Sequence, residues 1–366
     1  MPLVYLEDGY LFGLLVWLAL LPTGLVLLLK MRRRFRAQPR RVAVVHGLLS
    51  LWLLCLVLTG GELYFALVYD ETDSFNMTKV SQKWFRKHIE PQQQALTFAN
   101  GQGIVYRDDQ PFRRPTAEEH HVCFIGDSFT FGHGIPSVAD RFSNRVRSIL
   151  DKDQPNKYLV SNLARAGVDL HWVEVALQQL FSADYRIDTV VYVICLNDIE
   201  TFHPQHAEFY TRLGAQGPQF FLFRESYLLN LLYFRLRQFT VPAVRDYYGF
   251  LADYYRGPPW DRMQAKLDAV RSLCQDHNSE LRIVVFPFLH NLGPDYQFLE
   301  AHRKIIEYGR KREVPVLDLE PVLSPHVAEG LRVNRFDAHP NERAHALAAQ
   351  AIVKDLIPAP SPPPAP

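Results

Sequence analysis

A serine stands directly after an apolar run in the middle of the chain. Residues 124–134 read FIGDSFTFGHG, and a Gly-Asp-Ser turn that leaves a β-strand would expose the Ser128 hydroxyl at the carboxyl edge of a sheet. A hydroxyl in that position is a potential nucleophile. The serine is not part of a Gly-x-Ser-x-Gly pattern, so the nucleophile elbow of ordinary α/β-hydrolases is absent. On its own, Gly-Asp-Ser is better explained by a simple turn or a helix cap.

Three later blocks hold further polar residues of types that do chemistry. They are SNLARAG with Asn162 and Gly167, CLND with Asn197 and Asp198, and FDAHPNERAHALAAQAI with Asp337 and His339. Each block has an ordinary interpretation as a turn, a helix cap or a loop. Their order favours a common site, because each follows a predicted strand or precedes the last predicted helix. A parallel sheet brings such positions together.

Short apolar runs alternate with helical stretches through this part of the chain. The runs predict strands at 121–125, 158–161, 189–195, 281–286 and 314–317, and helices at 138–150, 170–181, 263–275, 296–312 and 341–356. Nearly continuous apolar strands separated by helices are typical of a parallel sheet that is covered on both faces.

At these blocks the sequence resembles the SGNH, or GDSL-type, hydrolase family, which is named for blocks carrying Ser, Gly, Asn and His. Ser128, Gly167, Asn197 and His339 match the four blocks in order, within roughly residues 119–357. The resemblance implies an α/β fold, a flavodoxin-like three-layer sandwich with about five parallel strands. Membrane-anchored members occur in bacterial envelopes, so it also implies a bacterial source.

The resemblance implies a mechanism for these residues. Ser128 would attack an acyl carbonyl, with His339 as general base and later general acid, and Asp337 would hold the imidazole. The backbone N–H groups of Ser128 and Gly167 and the side-chain amide of Asn197 would form an oxyanion hole. A side chain at Gly167 would obstruct the approach of the backbone to the substrate. Supporting roles are expected for Asp127, Asn162 and Asp198.

Two departures from the family pattern leave alternatives open. The family spaces its acid and base as Asp-x-x-His, whereas this chain has Asp-Ala-His. Asp337 could reach His339 through a tighter turn, or the enzyme could use a Ser–His dyad. His133 and His345 are alternative bases. We rank both below His339, because His133 follows the serine too closely and His345 lies a turn into the final helix.

The second departure concerns the Asn block, where Cys195 replaces the family's glycine. Cys123 and Cys195 fall in or near adjacent predicted strands, so a disulfide between them is conceivable in an oxidising compartment. We expect buried thiols instead, because cysteines in the middle of strands seldom meet disulfide geometry.

The N-terminal residues predict a two-helix transmembrane hairpin. Apolar runs at about 10–29 and 42–61 each approach the ~20 residues that cross a bilayer. Glu7 and Asp8 precede the first run, where a signal peptide would carry basic residues. The loop 30–41 has seven basic residues and no acidic one, which predicts a cytoplasmic loop. Both termini and the hydrolase domain would then lie outside the cytoplasm, on the periplasmic side of a bacterial inner membrane.

The predicted organisation follows from these elements. It comprises a hairpin at 1–61, a connecting segment at 62–118 that packs on the core, a hydrolase domain at 119–357, and a disordered Pro-rich tail at 358–366. An aromatic-rich helical insertion at 199–262 interrupts the domain. We favour ordinary helix packing for this insertion, and the alternative is a lid or acyl-binding wall beside the site.

Composition excludes several classes of function. The chain has 40 basic and 39 acidic residues, so it has no general attraction to nucleic acid. Its four cysteines form no Cys-x-x-Cys pair, and no Gly-rich phosphate loop with a lysine is present. No cluster with metal-ligand spacing stands out. We therefore expect no cofactor and no metal.

The leading hypothesis is a membrane-anchored extracytoplasmic serine esterase. Its substrate would be an O-acyl ester, acetyl or short acyl, on an envelope glycan or lipid. A second hypothesis is an O-acyltransferase for an extracytoplasmic polysaccharide. That activity would require a multi-span membrane partner, because a two-helix anchor is too small to translocate an acyl donor. A third is a non-catalytic binding or assembly factor on the same fold. Retention of Ser, Asn, His and an acidic neighbour argues against the third.

Overall fold

The computed structural model describes residues 5–204, 217–240 and 247–357. The predicted tail 358–366 and parts of the predicted insertion, 205–216 and 241–246, lie outside the described residues. The chain divides into two compact units. One comprises Met1–Lys87 with Gln216–Val241, and the other comprises His88–Ala215 with Pro242–Pro366.

The elements are numbered here in chain order. The described α-helices of at least four residues are α1 (Asp8–Arg34), α2 (Pro39–Leu63), α3 (Lys79–His88), α4 (Ser128–Phe131), α5 (Phe142–Asp153), α6 (Leu170–Ser182), α7 (Phe221–Glu225), α8 (Tyr227–Thr240), α9 (Tyr247–Tyr254), α10 (Pro258–Asp276), α11 (Leu299–Arg312), α12 (Glu320–Leu323) and α13 (Glu342–Asp355). The strands are β1 (Gln93–Thr97), β2 (Gly103–Arg107), β3 (His120–Gly126), β4 (Tyr158–Asn162), β5 (Thr189–Cys195), β6 (Glu280–Phe286) and β7 (Val316–Asp318).

The second unit is an α/β sandwich around a five-stranded sheet. The strand order is β4-β3-β5-β6-β7, and all neighbours pair in parallel. Every residue of β5 is buried, as the apolar run 189–195 predicts. Helices α5 and α13 pack together, and α6 packs with α10. The chain goes from β3 to β4 on one side of β3 and then crosses back to β5 on the other side. Since both crossovers are right-handed, the α5–α13 pair and the α6–α10 pair lie on opposite faces of the sheet. The flavodoxin-like three-layer fold is confirmed.

This strand order has a switch point between β3 and β5. The chain leaves β3 towards β4 on one side and leaves β5 towards β6 on the other side. A crevice therefore opens between the carboxyl ends of β3 and β5. Ser128 follows β3 and Asn197 follows β5, so both residues lie at the crevice.

The predicted segment 62–118 holds a feature that the sequence analysis did not identify. Strands β1 and β2 form an antiparallel hairpin, with Gln93 paired to Arg107 and Thr97 to Gly103. Only Leu96, Ile104 and Tyr106 of these strands are buried hydrophobic residues, so the alternation of two five-residue strands is too brief to stand out from a turn-rich sequence.

The first unit contains the predicted hairpin of helices. Its two helices are long and apolar enough to cross a membrane, with mean hydropathies of 2.4 over the best window of Asp8–Arg34 and 2.3 over that of Pro39–Val68. Only 6% and 11% of those windows are buried within the protein, unlike the core helix of a soluble protein. Helix α1 continues through Arg34, so the non-helical part of the predicted loop 30–41 is confined to 35–38. Basic residues in the last turn favour this extension, because they offset the negative end of the helix dipole.

The structure groups residues differently from the predicted boundaries. The predicted connecting segment divides between the units at Lys87 and His88, and the described residues 217–240 of the predicted insertion belong with the N-terminal helices. This grouping results from contacts between residues that are far apart in the sequence. Tyr227 and Leu231 of α8 are buried in one apolar cluster with Leu6, Ala66 and Val80.

Candidate active site

Three side chains form a hydrogen-bonded row at the carboxyl edge of the sheet. Nε2 of His339 lies 2.9 Å from the Ser128 hydroxyl, and Nδ1 of His339 lies 2.6 Å from Oδ1 of Asp337. Because the ionised carboxylate only accepts, Nδ1 carries the proton and Nε2 is left as the acceptor for the serine hydroxyl. Ser128 is half-buried, whereas His339 is 6% exposed and Asp337 is fully buried. This arrangement can transfer a proton from serine to imidazole.

The local sequence determines where Ser128 points. Asp127 is the N-cap of α4, and its carboxylate accepts a hydrogen bond from the Phe129 N–H at 2.9 Å. Ser128 is therefore the first helical residue, directly after β3. Gly126 lets this turn pack closely, because a Cβ there would lie 2.5 Å from the Thr130 hydroxyl and 2.7 Å from the Val193 carbonyl oxygen. The Gly-Asp-Ser sequence is thus both a helix cap and the support of the hydroxyl.

A turn before His339 explains how the Asp-x-His spacing still brings acid and base together. Oδ1 of Asn334 accepts hydrogen bonds from the Phe336 and Asp337 N–H groups at 2.7 and 2.9 Å. Asp337 in turn accepts from the backbone N–H of His339 at 3.0 Å. The tighter turn, the first of the two alternatives left open by the sequence, is the geometry observed.

The environment of Asp337 keeps it ionised. Burial works against ionisation, but the charge and hydrogen bond of His339 outweigh it and lower the pKa of the Asp337 carboxyl to about 2. A carboxylate that stays charged at neutral pH can orient the imidazole and stabilise its protonated form.

His133 contacts Asp337 rather than the serine. Its Nε2 lies 3.6 Å from Oδ2 of Asp337, and its ring is 4.4 Å from the His339 ring, centroid to centroid. Oδ2 has no hydrogen-bond partner within normal distance among the described residues. The sequence analysis weighed His133 only as a base, and its place beside the acid was not foreseen. No sequence signal reveals this pairing, because the two residues are about 200 positions apart.

His345 has a different partner. Its Nδ1 accepts a hydrogen bond from the Phe142 N–H at 3.0 Å, and its ring stacks on the Phe142 ring. Burial, followed by the charge of Arg141, lowers the pKa of His345 to about 3. It is a neutral core histidine of α13 that packs against the start of α5.

The other predicted oxyanion residues stand on loops at the same edge. Gly167 lies in an exposed turn after β4 with a φ of +76°, and the space around a Cβ there is open. The positive φ is thus a second reason for glycine, besides the access to substrate expected from the sequence. Asn197 is half-exposed in the 3₁₀ helix Leu196–Phe202, and its Oδ1 has no hydrogen-bond partner among the described residues.

The three residues predicted to support the loops are buried and hydrogen-bonded. Asn162 donates to the Thr130 carbonyl oxygen at 2.8 Å and to the Ser143 hydroxyl at 2.7 Å. Asp198 accepts from the Tyr192 hydroxyl at 2.6 Å. Burial raises the pKa of Asp127, and burial together with the Asp127 charge raises that of Asp198 well above its usual value.

The cysteines behave as the sequence analysis expected. All four cysteines are free thiols. Cys123, Cys195 and Cys274 are buried, and Cys55 is partly buried. Burial raises the pKa of Cys123 to about 12. A thiol with so high a pKa is unreactive at neutral pH.

An aromatic wall stands beside His339. The Phe129 ring is 5.2 Å from the His339 ring and 6.3 Å from that of Phe288. Tyr248 of α9 packs at 5.2 Å from Phe288 and stacks on His290. Tyr248 belongs to the predicted insertion, so its described residues 247–262 contribute a ring near the site. The high aromatic content of that segment is the sequence signal that could have indicated this contribution to the site.

His133, Asp337 and His339 are also residue types that bind metals. Among the described residues they form the one such group, with candidate ligand atoms within 4.8 Å of one another. The 2.6 Å separation of Nδ1 and Oδ1 matches a strong hydrogen bond. Two ligands of one tetrahedral zinc would lie roughly 3.3 Å apart. The residues therefore fit a proton-transfer row better than a metal site.

Comparisons with known proteins show which family the chain belongs to. No curated protein matches the sequence significantly. Solved structures that resemble the fold include an acetyl xylan esterase with 14% identity and a TM-score of 0.42, over 65% of this chain and 100% of that one. Another is a member of the lipolytic G-D-S-L family from Veillonella parvula, with 14% identity and a TM-score of 0.39, over 65% of this chain and 98% of that one. An acetyl xylan esterase from Geobacillus stearothermophilus has 13% identity and a TM-score of 0.41, over 66% and 95%.

A protein-family model also matches the chain. The model described as GDSL-like Lipase/Acylhydrolase matches residues 124–347, from the strand before Ser128 to the helix after His339. Because this match spans more than half of the 366 residues, the chain belongs to the GDSL-like lipase/acylhydrolase family and is a serine ester hydrolase.

Proposed function

We propose that this esterase is anchored in a bacterial inner membrane by the α1–α2 hairpin. It hydrolyses O-acyl esters, acetyl or short acyl, on an envelope glycan or lipid outside the cytoplasm, through an acyl-Ser128 intermediate. The observation that carries the catalytic part is the row from Ser128 through His339 to Asp337, with separations of 2.9 and 2.6 Å.

Acylation follows from the proton positions in this row. The Ser128 oxygen attacks the acyl carbonyl carbon while its proton passes to Nε2 of His339. The bond from the carbonyl carbon to the alcohol oxygen breaks, and His339 returns that proton to the leaving alcohol. Water then attacks acyl-Ser128 by the same route, which releases the carboxylic acid and restores the hydroxyl. Asp337 stays ionised and stabilises the imidazolium in both steps.

The negative charge that develops on the carbonyl oxygen needs donors. The Ser128 N–H belongs to the first turn of α4, where backbone N–H groups have no helical partner. We assign the other donors to the Gly167 N–H and the Asn197 amide, which stand on loops at the same sheet edge. One such donor contributes roughly 3–4 kcal/mol to transition-state stabilisation.

Charge supports the proposed orientation in the membrane. The last turn of α1 carries Arg32, Arg33 and Arg34, and the first residues of α2 include Arg40 and Arg41. Basic residues between two spans favour the cytoplasmic side. The esterase unit would then lie outside the cytoplasm, within reach of acylated envelope components.

The catalytic proposal is tested with the full chain in detergent. The measurement is hydrolysis of p-nitrophenyl acetate, butyrate and octanoate. We expect Ser128→Ala and His339→Ala each to lower kcat by at least about 10³-fold, as in other serine triads. Ser182→Ala, at an exposed helix end, and His326→Ala, at the surface, are the matched controls and should retain activity. Undiminished turnover in Ser128→Ala would exclude the proposed nucleophile.

The same assay distinguishes hydrolysis from acyl transfer. Mass spectrometry of the intact chain after mixing with ester detects acyl-Ser128. Rapid turnover in water supports the esterase. An acyl-enzyme that persists in water and reacts with added sugar alcohols would instead show the transferase. A folded chain that never acylates would favour a binding factor.

The orientation is tested separately with single cysteines in a Cys55→Ala background. Ala37→Cys lies in the loop between α1 and α2, and Glu118→Cys lies before β3 on the esterase unit; both positions are exposed. A membrane-impermeant maleimide added to intact spheroplasts should label the Glu118 variant. It should label the Ala37 variant only after permeabilisation. The reverse pattern would contradict the proposed topology.

A further inference from the structure

Helix α8 presents an apolar stripe that no described residue covers. Leu232, Leu236 and Phe239 are exposed at 46%, 67% and 78%. Their spacing of four and three residues puts them on one face of the helix. The opposite face is buried, since Tyr227, Asn230 and Leu231 pack within the first unit. An ordinary surface helix would carry polar residues on its exposed face.

The segment before α8 extends the same apolar surface. Phe220, Phe221, Leu222 and Phe223 are exposed at 38–56%. The Phe223 ring is 6.4 Å from that of Tyr233 on α8, so the two helices share this surface. Seven large apolar side chains exposed along 220–239 are more than a soluble surface usually leaves together.

Glu62 holds this segment at the end of α2 that would lie outside the cytoplasm. Its carboxylate accepts hydrogen bonds from the N–H groups of Tyr227 and Leu228 at 2.8 and 2.9 Å, and from the Ser226 hydroxyl at 2.6 Å. A carboxylate at a helix N-terminus is also favoured by the helix dipole. The start of α8 is thus held where the apolar span of α2 ends.

The charges of the segment suit a membrane surface. Residues 217–240 contain three arginines, Arg224, Arg235 and Arg237, and a single acidic residue, Glu225. Basic residues beside an apolar helical face are typical of helices that lie in the headgroup region and interact with anionic lipids.

We infer that residues 220–239 form an interfacial element that lies in the surface of the same bilayer that α1 and α2 cross. The stripe of Leu232, Leu236 and Phe239 faces the acyl chains, and the arginines interact with lipid phosphates. This inference rests on the membrane-anchoring part of the proposed function and is independent of the esterase chemistry. The function of the element is to hold the first unit at a fixed depth in the membrane.

The test uses the full chain in vesicles of phosphatidylethanolamine and phosphatidylglycerol. Single cysteines in a Cys55→Ala background carry a nitroxide spin label, and electron paramagnetic resonance measures its accessibility to oxygen and to a water-soluble nickel chelate. The stripe positions are Leu232→Cys, Leu236→Cys and Phe239→Cys. The matched control on another face of α8 is Arg237→Cys, and Leu20→Cys reports on α1. Esterase activity of each labelled variant verifies that it is folded.

We expect labels on the stripe to favour oxygen over the nickel chelate by several-fold relative to a label at Arg237. If the Leu20 label is in lipid and the stripe labels are accessible to the chelate, the interfacial inference is wrong and the anchor stands. If the Leu20 label is also in water, the anchor itself is wrong. Stripe labels that are inaccessible to both reagents would show a protein contact, such as a second copy, and overturn the inference.

Discussion

Asn162 ends β4 and Asn197 follows β5, the two strands that flank β3, yet their side chains have opposite environments. Asn162 makes three hydrogen bonds, to the Thr130 carbonyl, the Ser143 hydroxyl and the Ala164 N–H. Oδ1 of Asn197 has none among the described residues. The donor that an oxyanion would need is the Nδ2 group of Asn197, and its Oδ1 makes none of the loop-supporting contacts that Asn162 makes.

We therefore expect Asn197→Ala and Asn162→Ala to affect different quantities. Asn197→Ala should lower kcat by about 10²–10³-fold, as loss of an oxyanion donor does, with the free energy of unfolding within about 0.5 kcal/mol of the parent. Asn162→Ala should lower the free energy of unfolding by about 2–3 kcal/mol through its lost hydrogen bonds. Steady-state kinetics and urea unfolding measure both. Unchanged kcat in Asn197→Ala would exclude it from the oxyanion hole.

His133 provides a second test at the acid. Its Nε2 is 3.6 Å from the Asp337 oxygen that lacks a close partner. His133→Ala should lower kcat by about five-fold, because an electrostatic contact with the acid worth about 1 kcal/mol is lost. His133→Gln, which keeps an N–H dipole, should restore part of the activity. KM should not change. Equal losses of activity in both variants would indicate that packing against the His339 ring, rather than the contact with Asp337, is what matters.

Residue types in the sequence were enough to predict the members of the row but not their geometry. Gly-Asp-Ser and Asp-Ala-His contain the proposed nucleophile, acid and base. The turn held by Asn334 decides whether Asp337 reaches His339, and it depends on a side chain three residues earlier in sequence. The pairing of His133 with Asp337 joins distant segments, so only the folded chain shows it.

The β1–β2 hairpin holds the loop that carries His133. Arg107, at the end of β2, donates to the Gly132 and Ile135 carbonyl oxygens at 2.9 and 2.7 Å and to the Gln92 side chain at 3.0 Å. The Arg107 side chain is fully buried. A buried guanidinium that satisfies two loop carbonyls links the strand pair to the segment directly after α4.

Arg107→Met should lower the free energy of unfolding by about 3 kcal/mol, because it leaves buried carbonyl groups without a donor. Arg113→Met is the matched control. Arg113 is half-exposed and pairs with Glu119, so its loss should cost at most about 1 kcal/mol. Urea unfolding at neutral pH measures both variants. A similar small loss in each would mean that water or a rearranged loop replaces the Arg107 contacts.

Long parallel strands were predictable and the short hairpin was not, for a physical reason. β5 is buried on both faces, so every residue of its run is apolar and the signal is continuous. β1 and β2 are stabilised partly by polar contacts such as those of Arg107, which leave no apolar periodicity. Likewise, α8 has a helical sequence pattern, but that pattern cannot show that its buried side joins the N-terminal helices.

Acid should destabilise the esterase unit before Asp337 is protonated. Burial lowers the pKa of His121 to about 4 and that of His345 to about 3, below the usual value of 6.5. The unfolded chain therefore binds protons that the folded chain does not. Stability is complete above about pH 6.5 and falls as the pH decreases towards 3 to 4. Asp337, with a pKa of about 2, adds its own loss only between about pH 4 and 2.

We expect His345→Gln to reduce the slope of unfolding free energy against pH between pH 6 and 4. Glutamine keeps an acceptor for the Phe142 N–H but does not bind a proton, so the proton of His345 should no longer contribute. Those of His121 and His290, whose pKa burial also lowers to about 4, should still contribute. Urea unfolding of parent and variant across this range measures the slope. His326→Gln, at an exposed position, should leave it unchanged. An unaltered slope in His345→Gln would show that His345 is accessible to protons in the folded state.

The division into two units predicts where the chain can be cut. A fragment that starts at Asp70 removes Leu6 and Ala66, which pack with Val80, Tyr227 and Leu231. It also removes the carbonyl oxygens of Phe65, Ala66 and Tyr69 that accept from the Lys83 ammonium. The remaining part of the first unit would keep an uncovered apolar surface and an ammonium without its acceptors, which favours aggregation.

A fragment that starts at His88, with residues 216–241 replaced by a Gly-Ser linker of equal length, removes the first unit completely. We expect it to be monomeric and to keep esterase activity on p-nitrophenyl acetate, because the row from Ser128 to Asp337 lies entirely in the second unit. The Asp70 fragment should bind a hydrophobic dye and elute as aggregates in gel filtration. If the Asp70 fragment is instead monomeric, the cluster around Tyr227 does not need α1 and α2. In that case the first unit is a membrane hairpin joined to a separately folding segment.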